Sequence, residues 1–505
     1  MKILCRQLLP LLMVLLLLPL PCMAQEQGAK EISSVKLVTD RKNFPYPAWL
    51  FNGDRITFQT CKGGSSLTLS SQEGIGSLAI LFNRSHAPYW IRNEETGEEK
   101  ICGEENFLHD FVDVKAMFGT PLTSLTVTFP GDPVQLTELR VFTEGEVPKD
   151  VQRWKTAPDD GVDLLVFPAH GDDEQLFFAG LLPYYAGELG YEVQVAYSTD
   201  HHNYNSVRPH EMLNGLWAVG VRNYPVFGPF PDYYSESEDQ AVRSIQPAEF
   251  QREDVKAYVT EQIRRFKPLV VVGHDLNGEY GHGFHRLYGH VVQECVDESV
   301  DYRLYPESSE KYGVWDVPKT YSHLYQEHPV HMNWDVPLKN FDGMTAYQVT
   351  KQYGYPAHRS QYSGFAWYFA DHDTAESIRK FSPCDYGLYR STVGEDVQKN
   401  DLFENLTDRK QMKLLEEERR LREEKEAADR AQRAKEEKQK KAREAMELAR
   451  RERANRKAQE EIAGEALRLR QNTREFFGYL LAGVLSFIGL LLFLTVRIGK
   501  RKKEK

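Results

Sequence analysis

At 505 residues the chain exceeds what one hydrophobic core usually supports, so it should divide into several units. Its formal net charge of -11 argues against a nucleic-acid partner, because phosphate backbones call for a basic surface. The sequence holds no Cys-x-x-Cys pair, which removes support for a thiolate zinc site.

Residues 1–24 read as a secretory signal peptide. Lys2 and Arg6 precede the apolar run 8–18, and Cys22-Met23-Ala24 supplies small residues before Gln25. Pro19-Leu20-Pro21 ahead of Cys22 makes a poor lipobox. Residues 25–158 then show short alternating runs at 56–60, 66–70, 76–82, 125–129 and 136–142, separated by turn residues, which predicts an all-β sandwich. This pattern looks like the discoidin-type, galactose-binding-like jelly rolls, a resemblance that implies a carbohydrate-binding domain. Tyr89 and Trp90 read either as sugar-stacking rings or as core aromatics. Of the four cysteines beyond the signal segment, Cys61 and Cys102 share this unit and are candidates for a disulfide suited to an exported protein.

From 159 to 405 the pattern changes to α/β. Asp163-Leu164-Leu165-Val166-Phe167 is a short β-prone run, and an apolar face at helical spacing follows at 175–182. Between them Pro168-Ala169-His170-Gly171-Asp172-Asp173-Glu174 packs one imidazole and three carboxylates at a strand's carboxyl end, where open α/β sheets place ligands. The same grammar recurs about a hundred residues on. The strand 268–273 leads into the polar, glycine-rich loop 274–285, and a helix starts near Arg286. Two such loops on neighbouring parallel strands converge, offering His170, Asp173 and His285 as three ligands with a fourth position open for water, the arrangement of catalytic zinc.

The motifs Ala169-His170-Gly171-Asp172-Asp173-Glu174 and Gly281-His282-Gly283-Phe284-His285 resemble those of the PIG-L/LmbE family of zinc-dependent de-N-acetylases, which remove acetyl groups from N-acetylglucosamine-type sugars. The resemblance spans roughly 160–365. It includes Arg208-x-x-Glu211, a later strand within 315–325, and Ala357-His358-Arg359-Ser360-Gln361, similar to a closing His-x-Ser-Gln signature. Gly171 stands where the family usually has Pro, Gly283-Phe284 replaces Pro-Asp, and Thr199-Asp200-His201-His202 replaces a glycine-rich turn. The resemblance implies Zn2+ or another divalent metal on His170, Asp173 and His285, with Asp172 as general base. It also implies His282 as a charged partner of the tetrahedral intermediate or proton donor, Tyr280 at the oxyanion and Arg208 as a substrate contact. Arg208/Glu211 also reads as a plain helix ion pair, Glu174 as a solvated helix-start residue, and His201, His202, His210 and His290 as surface or satisfied core residues.

Residues 408–475 are almost entirely Glu, Lys, Arg, Ala and Gln, with no proline and one glycine, Gly464, which predicts one long charged helix. It reads either as a lone stalk of roughly 100 Å or as a weak coiled coil through which chains self-associate. Residues 476–496 form an almost uncharged apolar run long enough to span a bilayer, and the basic tail 497–505 places the cytoplasm on that side. The expected architecture is a Rossmann-like α/β parallel-sheet catalytic domain preceded by an all-β sandwich and followed by a charged helix and one transmembrane helix. The protein is then single-pass in the cell membrane, with its catalytic domain extracytoplasmic. The leading functional reading is a de-N-acetylase acting on an N-acetylated carbohydrate of a surface glycan, glycolipid or wall polymer. The alternatives are another amide hydrolysis on the same scaffold and a non-catalytic, membrane-anchored glycan-binding protein.

Overall fold

The strand Leu164–Val166 is buried along its whole length, and its alternating side chains commit it to a sheet covered on both faces. Leu164 and Val166 join a hydrophobic cluster with Met212, Leu213 and Leu216, whereas Leu165 joins another with Val259, Ile263, Leu287 and Val291. The computed structural model describes residues 28–39, 43–199 and 207–501. The expected signal segment, with Cys5 and Cys22, and His201 and His202 lie outside the described residues. The chain divides into two compact units, with the boundary after Met412.

In the first unit Leu164–Val166 lies inside a six-stranded sheet, flanked by Val193–Val195 and Val270–Gly273, with Lys319–His323, Asp385–Ser391 and Pro329–His331 following. The first four strands in space run parallel; the last two pair antiparallel. Chain order reverses at Leu164–Val166, because the next strand goes to one side and the third to the other. That reversal opens a crevice at the carboxyl ends of Leu164–Val166 and Val270–Gly273, from which the two histidine-bearing loops emerge.

The helix expected at 175–182 is interrupted. An α-helical turn covers Asp173–Leu176, and a π-helix follows at Pro183–Glu188. Gly180 between them has φ +93, and a Cβ there would come within 2.4 Å of the Trp334 indole. Packing against Trp334 therefore breaks a helix that periodicity alone would continue.

Ahead of this domain stand two antiparallel sheets, of five and four strands. Phe82 of the four-stranded sheet packs on Tyr89 and Phe129 of the five-stranded one, at centroid distances of 5.8 and 6.3 Å. Tyr89 is a core residue, buried with its hydroxyl donating to Asp110 at 2.7 Å, while Trp90 is 39% exposed. The candidate Cys61–Cys102 disulfide is not formed: Cys61, Cys102, Cys295 and Cys384 are free, buried thiols. Cys61 lies in the four-stranded sheet and Cys102 in the other, with their sulfurs facing the Gln59 carbonyl and Met117 respectively.

One continuous helix, Arg409–Arg501, runs through both the charged segment and the apolar one. Gly464 does not interrupt it, and i, i+4 pairs such as Glu437/Lys441 at 2.7 Å and Glu447/Arg451 at 3.0 Å line its charged part. By length and composition this helix can cross a membrane.

The strand Lys319–His323 is pinned by a buried ion pair. The Lys319 ammonium meets the Asp396 carboxylate and donates to the Glu404 carbonyl at 2.9 Å, and the Tyr321 hydroxyl donates to Asp396 at 2.7 Å. Lys319→Met leaves that carboxylate buried and uncompensated, and should cost about 3–5 kcal/mol in denaturant unfolding of the full-length protein. A cost below about 1 kcal/mol would contradict this account of the strand.

Candidate metal centre

The first loop folds back on itself before it reaches the site. Asp173 accepts the His170 backbone N–H at 2.7 Å, and the Ser198 and Thr199 hydroxyls donate to the Ala169 carbonyl at 2.9 and 3.0 Å. In the second loop the His282 Nδ1 accepts the Phe284 N–H at 3.1 Å and so caps the helix Gly283–Glu298. This sets His285 in the first turn, facing back toward the first loop. Two of the three departures from the family pattern, those at Gly171 and Gly283, have local causes. A Cβ at Gly171 would meet the Met212 side chain at 2.5 Å, and one at Gly283 would lie 2.2 Å from the Ser237 carbonyl oxygen.

His170 Nδ1, an Asp173 carboxylate oxygen and His285 Nε2 converge. His170 Nδ1 lies 3.2 Å from Asp173 Oδ2, His285 Nε2 lies 3.3 Å from Asp173 Oδ1, and the two imidazole nitrogens are 3.0 Å apart. Ligands held at ~2.0–2.1 Å from a tetrahedral zinc ion lie about 3.3 Å apart, so these donor atoms fit one divalent ion. At this centre the donor atoms that lie within 4.8 Å of one another form two groups, His170/His282/His285 and Asp173/His274/His285, and the triad His170/Asp173/His285 draws on both. The hydrogen bonds separate their roles. His274 Nε2 accepts the Ala169 N–H at 2.8 Å and its Nδ1 donates to Glu279 at 2.9 Å, so both nitrogens are used. His282, with Nδ1 accepting, carries its proton on Nε2 when neutral and is a donor in that tautomer. His285 instead donates Nδ1–H to Glu279 at 2.8 Å and leaves Nε2 for the cluster, the usual second-shell arrangement of a metal-bound histidine.

Glu279 is fully buried and gathers three imidazoles. Its other oxygen accepts from His323 Nδ1 at 2.7 Å and from the Asp275 N–H at 3.2 Å. Burial works against its charge, yet His274, His285 and His323 hold its carboxyl well below the usual range. Asp173 is likewise held well below normal by His285 and His170 against the effect of burial. Asp172 behaves in the opposite sense: burial pushes it up and the Arg208 guanidinium, 3.9 Å away, only partly opposes this. Burial and the neighbouring His170 and His285 press His282 down to about 2, favouring its neutral form.

The other expected residues surround this centre. Arg208 is buried between Asp172 and Glu211, each 3.9 Å away, and its Nη1 has no hydrogen-bond partner among the described residues. Glu211 in turn accepts from the Ser360 N–H and hydroxyl at 2.8 and 2.6 Å, joining the Arg-x-x-Glu element to the closing motif. Tyr280 lies with its ring 5.4 Å from His285 and holds a left-handed backbone, φ +45, rare for a bulky residue. Glu174 is not a solvated helix-start residue: it is buried, 2.9 Å from His358 Nε2. His210 pairs with His109 of the N-terminal sheets at 2.7 Å, and the half-exposed His290 pairs with Glu238 at 2.8 Å. Sequence reasoning missed His274, Glu279, His323 and Asp232, whose carboxylate is 3.5 Å from His170 Nε2. A histidine directly after a buried strand, as at His274, was the available signal. A cavity of about 1680 Å³ between the N-terminal sheets and the helix Arg208–Ala218 reaches Glu211 and Arg359 but none of the seven expected site residues. The donor geometry, not cavity size, marks the centre.

Residues 165–296 match the family model described as PIG-L, GlcNAc-PI de-N-acetylase. This stretch is a PIG-L-family domain. The chain is 27% identical over 178 residues to 1D-myo-inositol 2-acetamido-2-deoxy-alpha-D-glucopyranoside deacetylase 1 of Catenulispora acidiphila, covering 31% of this chain and 54% of that protein. It is 30% identical over 176 residues to the corresponding deacetylase 2 of Saccharopolyspora erythraea, covering 31% and 63%. The chain thus spans between half and two thirds of the length of these curated relatives. Among solved structures, the N,N'-diacetylchitobiose deacetylase from Pyrococcus horikoshii aligns with a TM-score of 0.33 at 16% identity, covering 45% of this chain and 83% of that one.

Glu279→Gln keeps the side chain's shape but turns an amide N–H toward an imidazole N–H. It should weaken divalent-metal affinity by about 10–100-fold, read by titrating zinc into metal-free full-length protein. Unchanged affinity would show that Glu279 does not orient the ligands.

Proposed function

We propose that this protein is a metal-dependent de-N-acetylase that hydrolyses the acetamide of an N-acetylglucosamine-type sugar in a surface glycan, glycolipid or wall polymer. The convergence of His170 Nδ1, the Asp173 carboxylate and His285 Nε2 beside a second, differently tuned carboxylate carries this reading. His170, Asp173 and His285 would hold the ion, which when bound supplies Lewis acidity toward the acetamide and a lowered pKa for water. Asp172, next to Asp173 in the chain and raised by burial, would take the proton of the attacking water. His282, neutral with its N–H on Nε2, donates toward the oxyanion or the leaving amine rather than acting as a fixed charge. Tyr280 borders the same space. Arg208 Nη1, which makes no hydrogen bond among the described residues and faces Glu211 at 3.9 Å, would donate to a sugar hydroxyl.

Around this chemistry we assign 25–158 as a carbohydrate-binding domain, 408–475 as a stalk, 476–496 as the membrane span and 497–505 as a cytoplasmic tail. The enzyme then works outside the cell, reached by export through the segment 1–24. The uninterrupted helix from stalk into apolar segment supports one rigid connection between them.

Acetate release from N-acetylated amino sugars by the full-length protein tests the reading. Asp172→Asn should lower turnover by about 10²–10⁴-fold while zinc content stays at the wild-type level, and chelation should abolish activity that zinc then restores. Turnover that survives both Asp172→Asn and chelation would refute the mechanism.

A further inference from the structure

Two aromatic arms leave the metal centre and end in solvent. On one side Tyr234, 66% exposed, stands edge-on to His282 at 5.0 Å. On the other, Tyr280 contacts Phe365 at 5.5 Å, and Phe365 contacts Trp367, 50% exposed, at 6.4 Å. Neither arm is a chance surface ring. The backbone beside Tyr234 is fastened to the helix Gly283–Glu298, because the Gly283 N–H donates to the Ser235 carbonyl at 2.7 Å, and the absence of a Cβ at Gly283 permits that approach. Phe365 and Trp367 sit on the helix Tyr362–Ala370, anchored by buried Tyr368 and Phe369.

We propose that Tyr234, Phe365 and Trp367 form subsites for sugar rings flanking the one that is deacetylated, so that the substrate is an amino-sugar chain rather than a single N-acetylglucosamine unit. This rests on the de-N-acetylase reading and names its substrate class. The C–H faces of pyranose rings pack on exposed aromatic faces, and Tyr and Trp keep a polar tip for hydroxyl groups. The arms are continuous with the ring that must hold the reacting sugar, since each touches a histidine or tyrosine of the centre. Charge selects the occupant further. Asp232 and Glu236 flank Tyr234 and Asp371 follows the Trp367 helix, while Asp373 is paired with Lys351 at 3.6 Å; the remaining carboxylates disfavour an anionic lipid surface and suit a neutral or amine-bearing glycan.

The test is a series of N-acetylglucosamine oligomers, from monosaccharide to pentasaccharide, with octyl N-acetylglucosaminide beside them, on full-length wild type, Tyr234→Ser and Trp367→Ser. Wild-type kcat/KM should rise by about tenfold or more from monosaccharide to trisaccharide, and the ratio should fall toward one in Trp367→Ser. A flat series in the wild type, an unchanged ratio in both variants, or a larger gain for the octyl glycoside than for the oligomers would overturn the proposal. If no member releases acetate, the de-N-acetylase reading fails. Calorimetric binding of the same oligomers then judges the subsites: affinity that grows with length and is lost in the variants upholds them, and equal affinities reject them.

Discussion

A carboxylate with no exposed surface, Glu279, sits among the Nδ1 atoms of His274, His285 and His323 at 2.9, 2.8 and 2.7 Å. Burying such a charge costs several kcal/mol unless hydrogen bonds replace its water, and here three imidazoles and one backbone N–H do so. Each imidazole belongs to a different element: His274 follows the strand Val270–Gly273, His285 opens the helix Gly283–Glu298, and His323 ends the strand Lys319–His323. One charge therefore locks two strands and a helix at the sheet's crevice. By taking the Nδ1 hydrogen of His285 it also decides which nitrogen that ring turns toward Asp173 and His170.

From that fixed frame two adjacent carboxylates acquire opposite characters. Asp173 lies among imidazoles and stays ionised; Asp172, one residue earlier, is buried beside a guanidinium 3.9 Å away and is pushed up. Paired groups whose environments drive their protonation apart are what the proposed division between a ligand, Asp173, and a base, Asp172, requires. The helix Arg208–Ala218 that supplies the guanidinium is held from two directions. Glu211 binds Ser360, while His210 and Asn214 bind His109 and Gln152 at 2.7 Å each. The N-terminal sheets thus help set where Arg208 meets Asp172.

Much of this was legible because the first motif writes strand, turn and helix start within a dozen residues, and chemistry needs its histidine and aspartates at fixed offsets from that turn. His170, Asp172, Asp173 and His285 could be read that way, and so could the long charged helix, whose composition permits little else. Glu279 could not. In 275–279 it reads as a turn residue in a glycine-rich loop, and its value comes from three histidines spread over fifty residues that only the sheet brings together. Glu174 reads locally as a solvated helix-start residue for the same reason, since its partner His358 lies 184 positions away. Trp334 against Gly180 and the placement of Cys61 and Cys102 in different sheets are likewise tertiary facts, with no local trace.

The central claim is that Glu279 presents one His-Asp-His cluster to one divalent ion, and anomalous diffraction from crystals of the zinc-loaded protein tests it most directly. The account predicts a single peak about 2.0–2.2 Å from His170 Nδ1, an Asp173 oxygen and His285 Nε2, with His274 and His282 outside bonding range. A peak bonded to His274 in place of His170, or no peak at this cluster in protein that releases acetate, would contradict it.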